Sequence, residues 1–340
     1  MSHVDFDNLK FALYENIYQT TMYKQAYGEG VWKPGGLSLY HDLTLAPSAN
    51  ILNYGQGIFE GVKAYRTDND RLVMFRIDQN AARFANSCRG FGIPPVPPET
   101  FVEACHQVVR ANAQYVPPNN GGSCALYLRP VCIGTEAMLG VAPAKEYLFY
   151  IYVSPVGPYY SGVGVVRLIV TDIHRAAPHG TGSVKAVGNY PVTMVPKIKA
   201  KEHGYGEALY LDARHDRFVE EAGAANFFAV LDDNTLVTPR LGSILPGITR
   251  ESILKLAADQ LNMRVEERDL AIDEVCTRAK ECFLSGTGAT ITSVSDIGWN
   301  GEDHNVNRNQ SQVAKQLYQL LTDIQNQRVK DPYGWVVEVK

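Results

Sequence analysis

No two cysteines in this sequence stand at C-x-x-C spacing, although Cys88, Cys105, Cys124, Cys132, Cys276 and Cys282 are present. That scatter argues against a zinc ribbon or a thioredoxin-type site. The eight histidines form no H-x-x-x-H pair, so no catalytic metal is expected. Long apolar runs are also missing: the longest, about Tyr147–Val153, falls far short of the ~20 residues that span a bilayer. Charge of one sign is lacking, with a net −4, which gives no electrostatic reason to expect nucleic acid or an anionic membrane as partner. The opening residues, Met1-Ser2-His3-Val4-Asp5-Phe6-Asp7, do not have the basic-then-apolar layout of a secretory signal. A cytoplasmic location follows as the expectation, with the thiols reduced and serving as small apolar filler.

What is present is the balance of an ordinary soluble globular chain, 45% apolar and 20% charged. At 340 residues two domains are expected. The best boundary is the glycine- and proline-rich stretch from Pro155 to Gly164, which gives residues 1–154, a connecting loop 155–164, and residues 165–340. Residues 1–50 read as aromatic and irregular. Leu72–Phe75 reads as a strand, followed by a helix capped by Asp78 with Ala81, Phe84, Ala85 and Cys88 on its apolar face. Arg83 falls on the other side of that stripe, where solvent is the default. Further helices are expected over Phe101–Ala113, Tyr190–His203, from Leu245–Thr249 to about Leu261, and over Val313–Ile324. Strands are expected over Cys124–Ile133, Tyr147–Val153, Val165–Thr171 and Ala208–Leu211, with a hairpin of Phe227–Leu231 and Leu236–Thr238. Strands and helices mix throughout, as in an α/β or α+β protein.

Four features together carry chemistry. Lys185, within Thr181-Gly182-Ser183-Val184-Lys185-Ala186-Val187-Gly188-Asn189-Tyr190, offers an amine that condenses with an aldehyde once deprotonated. Alone it is a solvated surface lysine. Glu220 and Glu221 precede the small residues Ala222-Gly223-Ala224-Ala225, so a carboxylate there can hold a flat protonated ring, although a solvated Glu-Glu turn is the commoner fate. Pro246-Gly247-Ile248-Thr249 stands at a helix start, where free N–H groups favour a phosphate. Ser285-Gly286-Thr287-Gly288 offers a second nest of donors. Tyr190 can reach a phenolic oxygen, and Arg83 a phosphate. Tyr127 and Arg129 share one face of their strand, and an arginine there needs an anionic partner, either an internal carboxylate or a bound anion.

With these residues in hand, the chain resembles the branched-chain amino acid aminotransferases, pyridoxal-phosphate enzymes of fold type IV. The likeness runs in order through Asn53-Tyr54-Gly55-Gln56-Gly57-Ile58-Phe59-Glu60-Gly61, Phe75-Arg76-Ile77-Asp78, Leu126-Tyr127-Leu128-Arg129-Pro130, Pro155-Val156-Gly157-Pro158-Tyr159, Lys185-Ala186-Val187-Gly188-Asn189-Tyr190, Glu221 to Phe228, Leu245 to Arg250, and Ser285-Gly286-Thr287. The resemblance implies a smaller N-terminal α/β domain and a larger C-terminal pseudo-barrel domain carrying the lysine. It implies pyridoxal 5′-phosphate as cofactor, with Lys185 as the Schiff-base lysine, Glu221 at the ring nitrogen and Tyr190 at the phenolic oxygen. Arg83, Ile248, Thr249, Gly286 and Thr287 match cofactor contacts, which gives Arg83 a cleft-facing role that helix periodicity denies it. Tyr54, Phe59, Gly61, Tyr127, Arg129, Tyr159, Thr287 and Gly288 match the substrate pocket. The implied reaction exchanges the amino group of leucine, isoleucine or valine with 2-oxoglutarate in ping-pong order, in a homodimer. Two departures stand out: Thr290-Ile291-Thr292 lies where some mammalian relatives carry a cysteine pair, and Gly57 replaces larger residues seen in some members of the family.

Two other readings share the scaffold or the fold. A D-amino-acid aminotransferase or an aminodeoxychorismate lyase is opposed by Tyr127, Arg129 and the long N-terminus. A non-catalytic binding protein is opposed by Lys185, Tyr190 and Glu221 occurring together.

Overall fold

Ten residues, Tyr147–Val156, with burial alternating as far as Val153, form the spine of a first sheet. The protein is described here by a computed structural model covering residues 4–119, 124–159 and 165–340. Those residues divide into two units, one holding 4–159, 184–188 and 322–340 and the other 165–183 and 189–321. Of the connecting loop expected over 155–164, residues 160–164 lie outside the described residues.

In the first unit the strands run in the order Val336–Glu338, Leu72–Phe75, Val62–Arg66, Ala125–Gly134, Tyr147–Val156, Thr21–Gly28, Val31–Trp32. Gly36–Leu39 adds to Thr21–Gly28, and Gly57–Phe59 adds to Ala125–Gly134. Helices Ile77–Gly90 and Pro98–Ala111 meet this sheet through Phe84, Phe101 and Phe149, whose ring centroids lie 5.0 to 6.1 Å apart. These rings are fully buried and anchor one apolar core.

In the second unit, pairing follows Val219–Ala222, Glu207–Leu211, Val165–Val170, Thr290–Trp299, Ala279–Gly286 and Ala225–Leu231, and returns to Val219–Ala222. The circuit is closed, so the mixed α/β chain carries the barrel expected of its later part. Leu168, Leu209, Phe227, Leu284 and Val294 belong to its buried cluster. Leu236–Pro239 and Val265–Arg268 extend the sheet beyond the ring, and Glu302–Asn305 pairs with Thr290–Trp299. Helix Ile248–Leu261 follows Gly247.

Several local expectations are corrected. Thr21–Gly28 is a strand, not irregular chain: Tyr23 to Tyr27 pair antiparallel with Ile151 to Tyr147. Lys24 and Gln25 interrupt the alternation that would have revealed it. The helix after Phe75 begins at Ile77 with Arg76 in the left-handed cap position at φ 52°, so Asp78 lies in the first turn rather than at the cap. There its charge still suits the helix dipole. The Tyr190–His203 helix divides into a tight turn, Pro191–Thr193, and a regular helix, Met194–Glu202, as Pro191 allows. The chain end returns to the first unit, where Val336, Val337 and Glu338 pair with Phe75, Met74 and Val73.

Candidate active site

In the first unit the segment 184–188 lies along the strand Gly57–Phe59. Ile58 bridges Ala186, the Phe59 N–H donates to the Lys185 carbonyl at 3.0 Å, and the Lys185 N–H donates to Ser87 Oγ at 3.1 Å. This fixes the lysine backbone on two elements and leaves its amine 4.9 Å from the centre of the Phe59 ring. The same ring carries the Arg129 guanidinium at 4.7 Å. Arg129 also lies 5.2 Å from the Tyr127 ring and donates to its hydroxyl at 3.2 Å. The Tyr127 hydroxyl lies where a side chain at residue 61 would stand, so Gly61 is required for the tyrosine to cover that backbone.

Tyr159 and Tyr127 are joined by a residue that sequence reasoning missed. Phe11 sets its ring edge-on to both, at 4.8 and 5.2 Å. Ser154 holds this N-terminal strap: its hydroxyl donates to the Ala12 carbonyl at 2.9 Å and accepts from the Tyr14 N–H at 2.8 Å. Only its place in the tertiary structure marks Phe11. Tyr54 stands apart from these rings in its bonding, its hydroxyl donating to the Leu139 carbonyl.

Arg83 is buried, against the periodicity reading that sent it to solvent. Its partner is Glu60, which is fully buried and accepts from Nε at 2.6 Å and Nη2 at 2.9 Å. Glu60 also accepts from Asn80 Nδ2 at 2.9 Å and from the Gly61 N–H at 3.0 Å. Burial alone would raise this carboxyl, but Arg83, with Lys185 and Asn80, holds it below the usual carboxylate range. Glu60 sits inside the Phe59-Glu60-Gly61 motif, yet sequence reasoning assigned it no role.

In the second unit Glu221, Asn226 and Ser285 stand opposite one another on three adjacent strands. Glu221 is 3% exposed, so the solvated Glu-Glu turn is excluded. Its Oε1 accepts from Asn226 Nδ2 at 2.9 Å and from the Leu245 N–H at 3.0 Å, and its Oε2 faces Arg175 Nη2 at 2.9 Å. Three donors of this kind favour the ionised carboxylate. Asn226 continues to the Leu245 carbonyl at 3.0 Å, and its Oδ1 fills the place a side chain at Gly247 would need. The start of helix Ile248–Leu261 is thereby drawn close to the carboxylate's own partner, and no side chain caps it. Thr249 is buried there. Ser285, in the same row, has a buried hydroxyl with no hydrogen-bond partner. Gly286 follows it and pairs with Thr290, so that Thr287 and Gly288 form the turn between two barrel strands.

Tyr190 opens the turn Pro191–Thr193, directly after Asn189, whose amide exchanges bonds with Thr181 at 2.6 and 2.7 Å. Arg175 and Asn226 are the functional candidates missed in this unit. Asn226 was within reach, inside the motif that begins at Glu221; nothing around Arg175 in the sequence points to a carboxylate 46 residues away.

The second unit alone therefore offers a buried carboxylate held by three donors, an uncapped helix start and an orphaned buried hydroxyl. The first offers an amine fixed at the backbone and laid on an aromatic ring. Taken unit by unit, the donors suit the parts of a phosphorylated pyridine aldehyde: in the second unit a carboxylate for the ring cation and helix N–H groups for the phosphate, in the first an amine for the aldehyde.

The amino-transferase class IV family profile matches residues 57–297. The chain is 39% identical to the branched-chain-amino-acid aminotransferase of Helicobacter pylori, over 100% of this chain and 99% of that protein. It is 42% identical to the chloroplastic branched-chain amino acid aminotransferase 2 of Humulus lupulus, over 100% of this chain and 82% of that one. Among solved structures, the branched-chain amino acid aminotransferase of Escherichia coli superposes with a TM-score of 0.78 at 27% identity, covering 93% of this chain and 99% of that one. The chain belongs to the class IV amino-transferase family, among its branched-chain amino acid aminotransferases.

Proposed function

We propose that the protein transfers the amino group of leucine, isoleucine or valine to 2-oxoglutarate, reversibly and in ping-pong order, with pyridoxal 5′-phosphate as cofactor. The observation that carries this reading is the Glu221 carboxylate, buried and held by Asn226, Leu245 and Arg175 in a family that uses this cofactor.

When bound, the cofactor supplies an aldehyde and a protonated ring that draws electrons from the reacting carbon. Lys185 would hold the aldehyde through Nζ, and the same amine, when free, would take the substrate α-proton and return it. Its fixed backbone keeps the amine within reach through both halves of the cycle. Glu221 stands for the ring nitrogen, and Tyr190 for the phenolic oxygen. Ile248, Thr249, Gly286, Thr287 and Arg83 are the phosphate-side residues. Glu60 forks the Arg83 guanidinium and so sets its orientation. Phe59, Tyr127 and Phe11 give an apolar wall for a branched side chain, with Tyr54, Gly61 and Tyr159 completing the proposed pocket. Thr287 and Gly288 offer backbone donors to the substrate α-carboxylate. Arg129 gives the wall a cation for the side-chain carboxylate of glutamate.

A homodimer and a cytoplasmic location go with this proposal, and gel filtration and cell fractionation test them. The expected domains, 1–154 and 165–340 joined by 155–164, remain part of the proposal, with limited proteolysis in the loop as their check. An amino-donor panel with 2-oxoglutarate tests the function itself. L-Leucine, L-isoleucine and L-valine are expected to be the best donors; turnover of D-alanine in their place would transfer the reading to the D-amino-acid enzymes of this fold.

A further inference from the structure

Two glutamates share one arginine in the barrel. Between the partners Leu209–Ala222 and Leu211–Val219, the single residue Tyr210 faces both Glu220 and Glu221. This is a β-bulge, and it removes the alternation that would send consecutive side chains to opposite faces. Glu221 takes the direct ion pair with Arg175 at 2.9 Å. Glu220 is tied to the same arginine through Ser243: the Ser243 hydroxyl donates to Glu220 Oε1, while the Ser243 carbonyl accepts from Arg175 Nη2 at 3.0 Å. Glu220 is 5% exposed, and its Oε2 is buried with no hydrogen-bond partner.

Charge decides what this arrangement does. Arg175 and Glu221 together carry no net charge, so that pair alone is a poor partner for a ring cation. The second carboxylate makes the trio net negative. We propose that Glu220 is a positioning residue: it supplies, through Arg175, the negative charge that lets Glu221 keep a bound pyridine nitrogen protonated. Burial first, and the nearby Glu221 and Asp212, push the Glu220 carboxyl up against the pull of Ser243 and Arg175. Glu220 and Glu221 have one arginine between them, so the pair is one positive charge short, and a protonated ring supplies it. The bulge is what makes this possible, since a regular strand would direct only one of the two glutamates to Arg175.

The inference rests on the reading of Glu221 as the ring-nitrogen partner, and the test separates the two. Full-length protein freed of cofactor is titrated with pyridoxamine 5′-phosphate and with its 1-deaza analogue, whose ring carries CH in place of nitrogen. The variants are Glu220→Gln, which keeps shape and the Ser243 contact, and Glu221→Gln. Glu220→Gln is expected to weaken pyridoxamine 5′-phosphate by about tenfold, the lower end of what an adjacent charge does to a titration, and to leave the deaza analogue unchanged. Equal weakening of both ligands would mean that Glu220 only supports the fold, and no weakening of either would mean that its charge is not felt; each overturns the proposal. If Glu221→Gln also fails to distinguish the ligands, the reading of Glu221 falls and the inference with it. If Glu221→Gln distinguishes them and Glu220→Gln does not, the inference alone fails.

Discussion

The two units each bury a guanidinium with carboxylate, and they balance it differently. In the first, Arg83 meets Glu60 through two bonds, and Glu60 accepts from Asn80 and the Gly61 N–H as well. In the second, Arg175 is shared by Glu220 and Glu221, and the Arg175 Nε, Glu220 Oε2 and Ser285 hydroxyl are left without partners. A matched, well-bonded buried pair contributes mainly orientation, because attraction and desolvation nearly offset. An unmatched set holds charge and bonding capacity in reserve for a ligand. The difference points to Glu60–Arg83 as a fixed support and to the Arg175 cluster as a receiving surface.

The largest break in this comparison is the loss of Lys185, a cation that helps hold Glu60 ionised. Lys185→Ala is expected to abolish multiple-turnover transamination of leucine with 2-oxoglutarate while circular dichroism stays native. Normal turnover in that variant would remove the lysine from the mechanism. A smaller, more selective effect is expected at Arg129, stacked on Phe59 and bonded to Tyr127. Arg129→Gln should weaken the glutamate half-reaction by ~1.5–3 kcal/mol, the worth of a charged hydrogen bond, and leave leucine much less affected. Single-turnover kinetics with each amino acid read this out, and equal losses would make Arg129 a support like Glu60.

Lys63 sharpens the comparison from the side of stability. It is buried in the first unit, opposite Tyr127, and burial pushes its amine down to about 8. Since the folded value lies below that of the free side chain, the fold is burdened while the lysine must stay charged, below about pH 8; the burden fades as pH rises toward 10.5. Lys63→Met is therefore expected to gain ~1–3 kcal/mol in urea unfolding at neutral pH and little at alkaline pH. A gain independent of pH would assign the effect to packing instead.

Legibility in the sequence followed how local each determinant is. Leu72–Phe75 was readable to the residue, and the Ala225–Leu231 and Leu236–Pro239 hairpin and the helix ending at Leu261 nearly so, because turn residues and caps mark them. Lys185 and Glu221 stand out as candidates through motifs, while periodicity misplaces Arg83 because its partner, Glu60, sits 23 residues earlier, just past the strand Gly57–Phe59. Thr21–Gly28 was missed since its polar residues serve pairing within a sheet assembled from distant strands. The bulge at Glu220–Glu221 is a mismatch between two strands, and no property of either strand alone encodes it.

The claim that one carboxylate supports while the other receives is tested most directly by urea unfolding of the cofactor-free protein carrying Glu60→Gln or Glu221→Gln. Glu60→Gln strands Arg83 in a buried site and should cost ~3–5 kcal/mol, the loss typical of a broken buried pair. Glu221→Gln leaves Glu220 beside Arg175, so the buried charge is not uncompensated, and the loss should be clearly smaller than that of Glu60→Gln. Equal losses, or a larger one for Glu221→Gln, would contradict the account.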